Sequence, residues 1–208
     1  MCEREKRYFV NINNEQYDLI EKIINHNFNI YYSQYDFNKY SASDYKTFQN
    51  DFSTLANKNK SIEEALKWKW GHSGKLNYPQ THKDLIQEVK SSWLNFASKK
   101  INNPIETYKY WKNALQKDTR YITVAYITHL VHYKEIPIID QHNYRAMNYF
   151  ITLVNSNAKI KKKPSNWNDV LKLKEFILTL SIRLNKNTED IDKYLMMFGR
   201  SIKPRKNK

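Results

Sequence analysis

The sequence predicts an all-α fold. Apolar residues recur at helical spacing along almost the whole chain. Three glycines and five prolines in 208 residues are too few for a β protein built on tight turns. The one long apolar stretch that also reads as strand is flanked by helical patterns on both sides.

Each helix has its own signal. Tyr17, Ile20, Ile23 and Ile24 mark the first. Tyr45, Phe48, Phe52 and Leu55 mark the second, behind the capping candidates Ser41 and Ser43. Ser61-Ile-Glu-Glu opens a third in the manner of a capping box, which runs through Leu66, Trp68 and Trp70 to a stop at Gly71. Residues 81–99 carry Leu85, Val89, Trp93 and Phe96 on one face. Pro104 suits the first turn of the next helix, with Tyr108, Trp111 and Leu115. Residues 121–133 are almost wholly apolar and rich in β-branched side chains, so strand competes with helix. Their length and neighbours favour helix. Residues 141–154, 166–184 and 188–198 complete the set. No repeat and no linker divides the chain, so residues 1–208 read as one helical domain. Lys159 and Lys161 to Lys163 lie in a basic loop, read either as a solvated face or as a track for DNA backbone. Residues 203–208 read as a cationic tail.

The charge narrows the class of partner. Lys and Arg number 35 against 21 Asp and Glu, a formal charge of +14 that favours a polyanion. Abundant Asn, Lys, Ile and Tyr also fit an AT-rich genome, which would make part of that charge compositional. No apolar run approaches the roughly 20 residues that cross a bilayer, and Met-Cys-Glu-Arg-Glu-Lys-Arg lacks a signal-peptide core. The single cysteine, Cys2, permits neither an internal disulfide nor a four-cysteine iron–sulfur cluster. These features are expected of a soluble cytoplasmic protein, without a membrane partner and monomeric.

The most informative stretch is Ile136-Pro-Ile-Ile-Asp140-Gln-His142-Asn-Tyr-Arg145. It puts one carboxylate after a short extended apolar run and at the start of a helix. Taken with the helix from Pro104, the polar connection Gln116-Lys-Asp-Thr-Arg-Tyr121 and the apolar helix that follows, this order resembles the helix-hairpin-helix DNA glycosylase superfamily. There an aspartate follows the hairpin's second helix by just such a segment. Arg145 matches a basic position of the adenine-glycosylase branch, and His142 a histidine of the 8-oxoguanine branch. Asp190-Ile-Asp-Lys-Tyr-Leu-Met-Met-Phe198-Gly-Arg is similar to the closing helix of small 8-oxoguanine-glycosylase-like proteins. The resemblance covers roughly residues 104–200, with hairpin and aspartate segment at 104–145.

That resemblance implies a DNA glycosylase with Asp140 as its catalytic residue and no cofactor. Rupture of an N-glycosidic bond gives the sugar oxocarbenium character. An ionised carboxylate stabilises that cation and orients or deprotonates the attacking water, and a helix N-terminus favours its ionised form. Asp140 also reads as a plain N-cap, and it can do both jobs. Double-stranded DNA with one base flipped out would be the partner.

The sequence departs from the family pattern in two places. The hairpin connection has no glycine, so phosphate contacts would fall to Lys117, Thr119, Arg120 and Tyr121, with His142 and Arg145 beyond. The lysine nucleophile of bifunctional members aligns with Tyr121, or with Ile122 after a one-residue shift, and Lys117 is the nearest lysine. The resemblance therefore implies a monofunctional enzyme that leaves an abasic site, unless Lys117 or Tyr121 supplies lyase chemistry.

A base pocket is expected from Trp68, Trp70, His72 and Lys75, with Phe198 closing it. The same residues also read as an ordinary helix end and core aromatics. Gly74-Lys75 lacks the spacing of a phosphate-binding loop. His129 and His132 sit three apart on a helix, but no cysteine or clear acidic partner completes a metal site, so none is expected. The favoured substrate is a hypermodified base of phage DNA, glucosylated hydroxymethylcytosine among them, which would make the chain an antiviral defence enzyme. The alternatives are repair of 8-oxoguanine or another oxidised purine, a non-catalytic DNA-binding module, and an RNA-binding helical protein.

Overall fold

The computed structural model describes residues 12–55, 59–115, 120–158, 161 and 163–203. They are all-α: nine helices and no strand among the described residues. In order these are α1 (Asn14–Tyr32), α2 (Ala42–Ser53), α3 (Asn59–Trp70), α4 (Gln80–Ser98), α5 (Pro104–Ala114), α6 (Tyr121–Val131), α7 (Gln141–Val154), α8 (Trp167–Arg183) and α9 (Thr188–Ser201). None is long and apolar enough to cross a membrane.

The helices fall into two compact units. One is the continuous segment Asp36–Ile138, with α2 to α6; the other joins α1 to α7, α8 and α9 from either side of it in sequence.

In the continuous unit the core is aromatic. Phe52, Trp93, Phe96 and Trp111 are fully buried, and the Trp93 and Trp111 rings stack at 5.8 Å. Pro104 occupies the first turn of α5, where its missing N–H costs nothing, and Asn103 caps the helix. The apolar stretch that reads as helix or strand forms α6. From Thr123 to Val131 every residue of it is buried. A helix apolar on all sides needs cover on all sides, and α2 and α5 both pack against it.

One detail of this unit differs from the sequence reading. Helix α3 begins at Asn59, so Ser61 is not its cap. Instead the buried Ser61 hydroxyl donates to Asp51 of α2, which is itself buried. At its other end α3 stops where the sequence expects, at Gly71, which takes φ 69°.

His129 sits at the centre of the unit, 2 % exposed. Its Nδ1 faces the Ile136 carbonyl, which only accepts, so Nδ1 carries the proton. Nε2 then accepts from the Tyr45 hydroxyl. Both ring nitrogens are thus engaged, and neither is free for a metal. His132 ties α6 to α5 instead, with Nε2 2.8 Å from Thr107 Oγ1.

In the other unit α9 packs against α7, α1 and α8. Phe28, Phe150, Tyr194 and Phe198 stack at 5.0 to 5.9 Å within its core. Arg183 of α8 clamps Asp18 and Glu21 of α1. Asp169, 2 % exposed, accepts from the Ser165 N–H (2.8 Å), Lys161 (3.0 Å) and the Tyr144 hydroxyl (3.2 Å), which anchors the chain entering α8.

Burial holds the His129 pKa down at about 4, against the partial opposition of its bond to Ile136. The unfolded chain protonates this histidine near about 6.5. Stability is therefore full above that value and falls as the pH drops from there toward 4, by a total approaching about 3 kcal/mol. Urea unfolding followed by tryptophan fluorescence checks this, since four of the five tryptophans lie in the continuous unit. His129→Gln should weaken the protein at pH 7 yet flatten its loss of stability between about pH 6.5 and 4.

Candidate active site around Asp140

Ile139 is fully buried and α7 begins immediately after Asp140, so the aspartate is delivered to the surface end of the helix from an anchored position. Its backbone is extended, at φ −132° and ψ 154°. The side chain caps α7, with Oδ1 accepting from the His142 N–H at 2.7 Å. The Asp140 N–H in return donates to Asn143 Oδ1 at 2.8 Å, closing a capping box. Asp140 stays half-buried, and the positive end of α7 favours its carboxylate form.

Asn143 is wholly buried and fixes this arrangement from below. Its Nδ2 donates to Asp192 Oδ1 of α9 at 2.5 Å. The same side chain thus links the Asp140 backbone to α9. A residue three places after a cap is where a capping box puts its partner, so the Asp140–Asn143 spacing carried a usable signal. The roles of Asp192 and Gly199 carried none.

Gly199 sets the closeness of α7 to α9. A Cβ there would stand 1.9 Å from the His142 carbonyl oxygen and 2.6 Å from its carbon. Only a glycine permits the two backbones to meet. Arg145 crosses the same junction, with Nη1 donating to the Gly199 carbonyl at 2.7 Å and to His142 Nδ1 at 3.0 Å. Arginine only donates, so His142 Nδ1 is the acceptor and the neutral ring holds its proton on Nε2. Burial keeps His142 below the ordinary histidine range. Arg200, Arg145 and Lys203 push the same way, and Asp140 pulls against them. At neutral pH this histidine is an uncharged donor in a cationic neighbourhood.

Asp140, His142 and Arg145 are therefore brought together, and Arg200 and Lys203 join them. Phe198 precedes Gly199 in α9 and belongs to the core of the same unit. It is 5 % exposed and packed among Tyr31, Tyr149, Phe150 and Tyr194. Arg120 and Tyr121 belong to the continuous unit. The Arg120 guanidinium forms a two-pronged pair with Glu88, with Nη2 to Oε1 at 2.9 Å, and also donates to the Leu115 carbonyl. That neutralises it and joins the end of α5 to α4. Tyr121 opens α6, with Lys112 5.9 Å from its ring. Lys117 and Thr119 fall outside the described residues, as do Lys159, Lys162 and 204–208 of the tail.

The other expected pocket residues also belong to the continuous unit. Trp68 is 5 % exposed and stacked on Tyr45 at 5.1 Å, a core position. Trp70 and His72 are half-buried, and Lys75 is exposed. No group of three or more His, Cys, Asp or Glu side chains among the described residues is arranged to hold a metal ion.

No protein-family model, curated protein or solved structure matches this chain.

Gly199→Ala should lower stability by about 1–3 kcal/mol, because the added methyl meets backbone and not a mobile side chain. Thermal melting by circular dichroism reads the loss.

Proposed function

We propose that the chain is a monofunctional DNA glycosylase of the helix-hairpin-helix kind, which hydrolyses the N-glycosidic bond of a modified base and leaves an abasic site. The observation that carries this reading is Asp140. It is a half-buried carboxylate at a helix N-terminus, in a neighbourhood of Arg145, Arg200 and Lys203, within a chain of charge +14. DNA phosphate is drawn to such surroundings. As the sugar gains positive charge, the carboxylate is the group suited to stabilise it and to take a proton from the attacking water. His142 Nε2–H and the Arg145 guanidinium supply donors for a phosphate beside the extruded nucleotide. The order of α5, α6, the non-helical Ile136–Ile139 run and Asp140 supports this reading, since it is the order that the sequence resemblance implies.

The substrate we favour is a hypermodified cytosine of phage DNA, such as glucosylated hydroxymethylcytosine, which makes the enzyme a defence protein. An oxidised purine is the alternative. Incubation with modified phage DNA should release the free base and leave abasic sites; absence of both rejects the defence assignment.

One observation favours a second reading, a DNA-binding module without chemistry. The capping box gives Asp140 a complete structural role. Asp140→Asn separates the two, because asparagine caps as well as aspartate and spares the helix. A glycosylase should lose base release by about a hundredfold or more while it keeps its DNA affinity. A binding module should lose nothing. For either reading, affinity for duplex DNA should fall by about a thousandfold or more between roughly 50 and 200 mM salt if six or more phosphates are contacted.

A further inference from the structure

The continuous unit carries a cluster of rings that includes Trp70 and His72 of the expected base pocket. It forms where α3 ends and α4 begins. Gly71 turns the chain out of α3, and the His72 N–H closes the turn on the Lys67 carbonyl at 2.7 Å. Gly74, at φ 71°, makes the next turn, and the chain enters α4 at Gln80. The first turn of α4 then presents His82 to the end of α3. The Trp70 and His82 rings stack with centroids 4.1 Å apart and planes 25° apart. His72 lies over Tyr78 at 5.5 Å, also at 25°. His72 Nε2 and His82 Nδ1 are 3.1 Å apart, so the two imidazoles share one hydrogen bond. All four rings are half-buried; each has one face against its stacking partner, and part of its surface stays open to solvent.

Cations surround the rings. Lys67 and Lys83 lie 4.9 and 5.4 Å from the Tyr78 ring centre. The end of the Lys39 side chain lies against Gly71, and Lys75 is exposed just after Gly74. Glu63 balances Lys67 at 2.9 Å. Lys39, Lys75 and Lys83 carry no ion pair among the described residues. At the tip Leu76 is 89 % exposed, the most exposed large apolar side chain described. Burial holds both histidines below their ordinary range, and Lys75 and Lys39 add to this for His72. At neutral pH the imidazoles are therefore uncharged rings and do not repel the lysines.

Ordered aromatic faces with unpaired cations beside them suit bases that are not already stacked in a duplex. A duplex offers phosphates but hides the faces of its bases. An acidic protein surface would engage the lysines and leave the rings and Leu76 without a partner. We infer that the loop from Trp70 to Tyr78, with His82, is a binding site for single-stranded DNA. Unpaired bases stack on Trp70, Tyr78 and His82, Lys75 and Lys83 meet the phosphates, and Leu76 lies against a base edge. This site is independent of the reading given to Asp140.

The test is fluorescence titration of the full chain with three probes of equal length: oligo-dT, an abasic oligonucleotide and a blunt duplex. Oligo-dT should bind and quench tryptophan emission, with the abasic strand weaker by about tenfold or more, since each stacked base contributes about 1–3 kcal/mol. Trp70→Ala with Tyr78→Ala should bring oligo-dT down to the abasic level, with the circular dichroism spectrum kept. Lys75→Gln with Lys83→Gln should make binding less sensitive to salt. Base release from modified DNA is a separate readout, and its failure leaves this titration unaffected. Equal affinity for the abasic strand overturns the inference whatever the variants do. So does a folded double variant that binds oligo-dT as before. Tighter binding of oligo-U than of oligo-dT overturns the assignment to DNA.

Discussion

The unit that carries Asp140 is organised around one close approach, that of the first turn of α7 to the backbone of α9. Gly199 has no side chain to hold the helices apart, so the His142 carbonyl comes in where a Cβ would be. Two contacts near the aspartate go with that approach. It puts Asn143 within reach of Asp192, and it puts Arg145 within reach of the Gly199 carbonyl. Arg145 in turn selects the tautomer of His142. The capping carboxylate is therefore held by α9 as well as by its own helix, through a buried asparagine that contacts both.

The same feature explains the electrostatics. Asp192 is an acid buried to 8 % exposure, and its bond from Asn143 answers part of the cost of burial. The cations stay at the rim, where Arg200 and Lys203 act on His142 through space. Negative charge is thus placed inside and at the helix end, and positive charge outside it. A polyanion approaching that rim meets attraction first.

Helix positions were legible in the sequence where periodicity and caps agreed. Residues 141–154 form α7 with the bounds expected, because Asp140 is a strong cap and the apolar face is continuous. Residues 121–133 were ambiguous by composition; 121–131 form helix, buried on every side from Thr123 to Val131, and the last two expected residues lie in the turn after it. Ser61 misled because a hydroxyl three places before an acid fits a cap, whereas here it faces a buried aspartate from another helix. The fate of Arg120 was likewise not legible, since Glu88 is a distant residue in sequence and local pattern carries no trace of the pair. Around Asp140, local sequence revealed the cap, His142 and Arg145. The contributions of Asp192 and Gly199 depend on how α9 meets α7, and spacing along one chain does not encode that. The division into two units left no mark either, because the chain passes at Tyr35–Asp36 and Ile138–Ile139 without a Gly- or Ser-rich stretch.

That division has a consequence for biosynthesis. Helix α1 leaves the ribosome before the 103 residues of Asp36–Ile138, yet the helices that cover Ile20, Ile24 and Phe28 come after them. At about 5–20 residues per second, α1 waits roughly 5–20 seconds before α7 even begins to emerge. During that interval its apolar stripe is unshielded while the intervening segment has all of its own helices and can complete its core. Chaperone capture of nascent chains should therefore focus on the first helix, and synonymous codon changes that slow the middle of the message should lengthen its exposure.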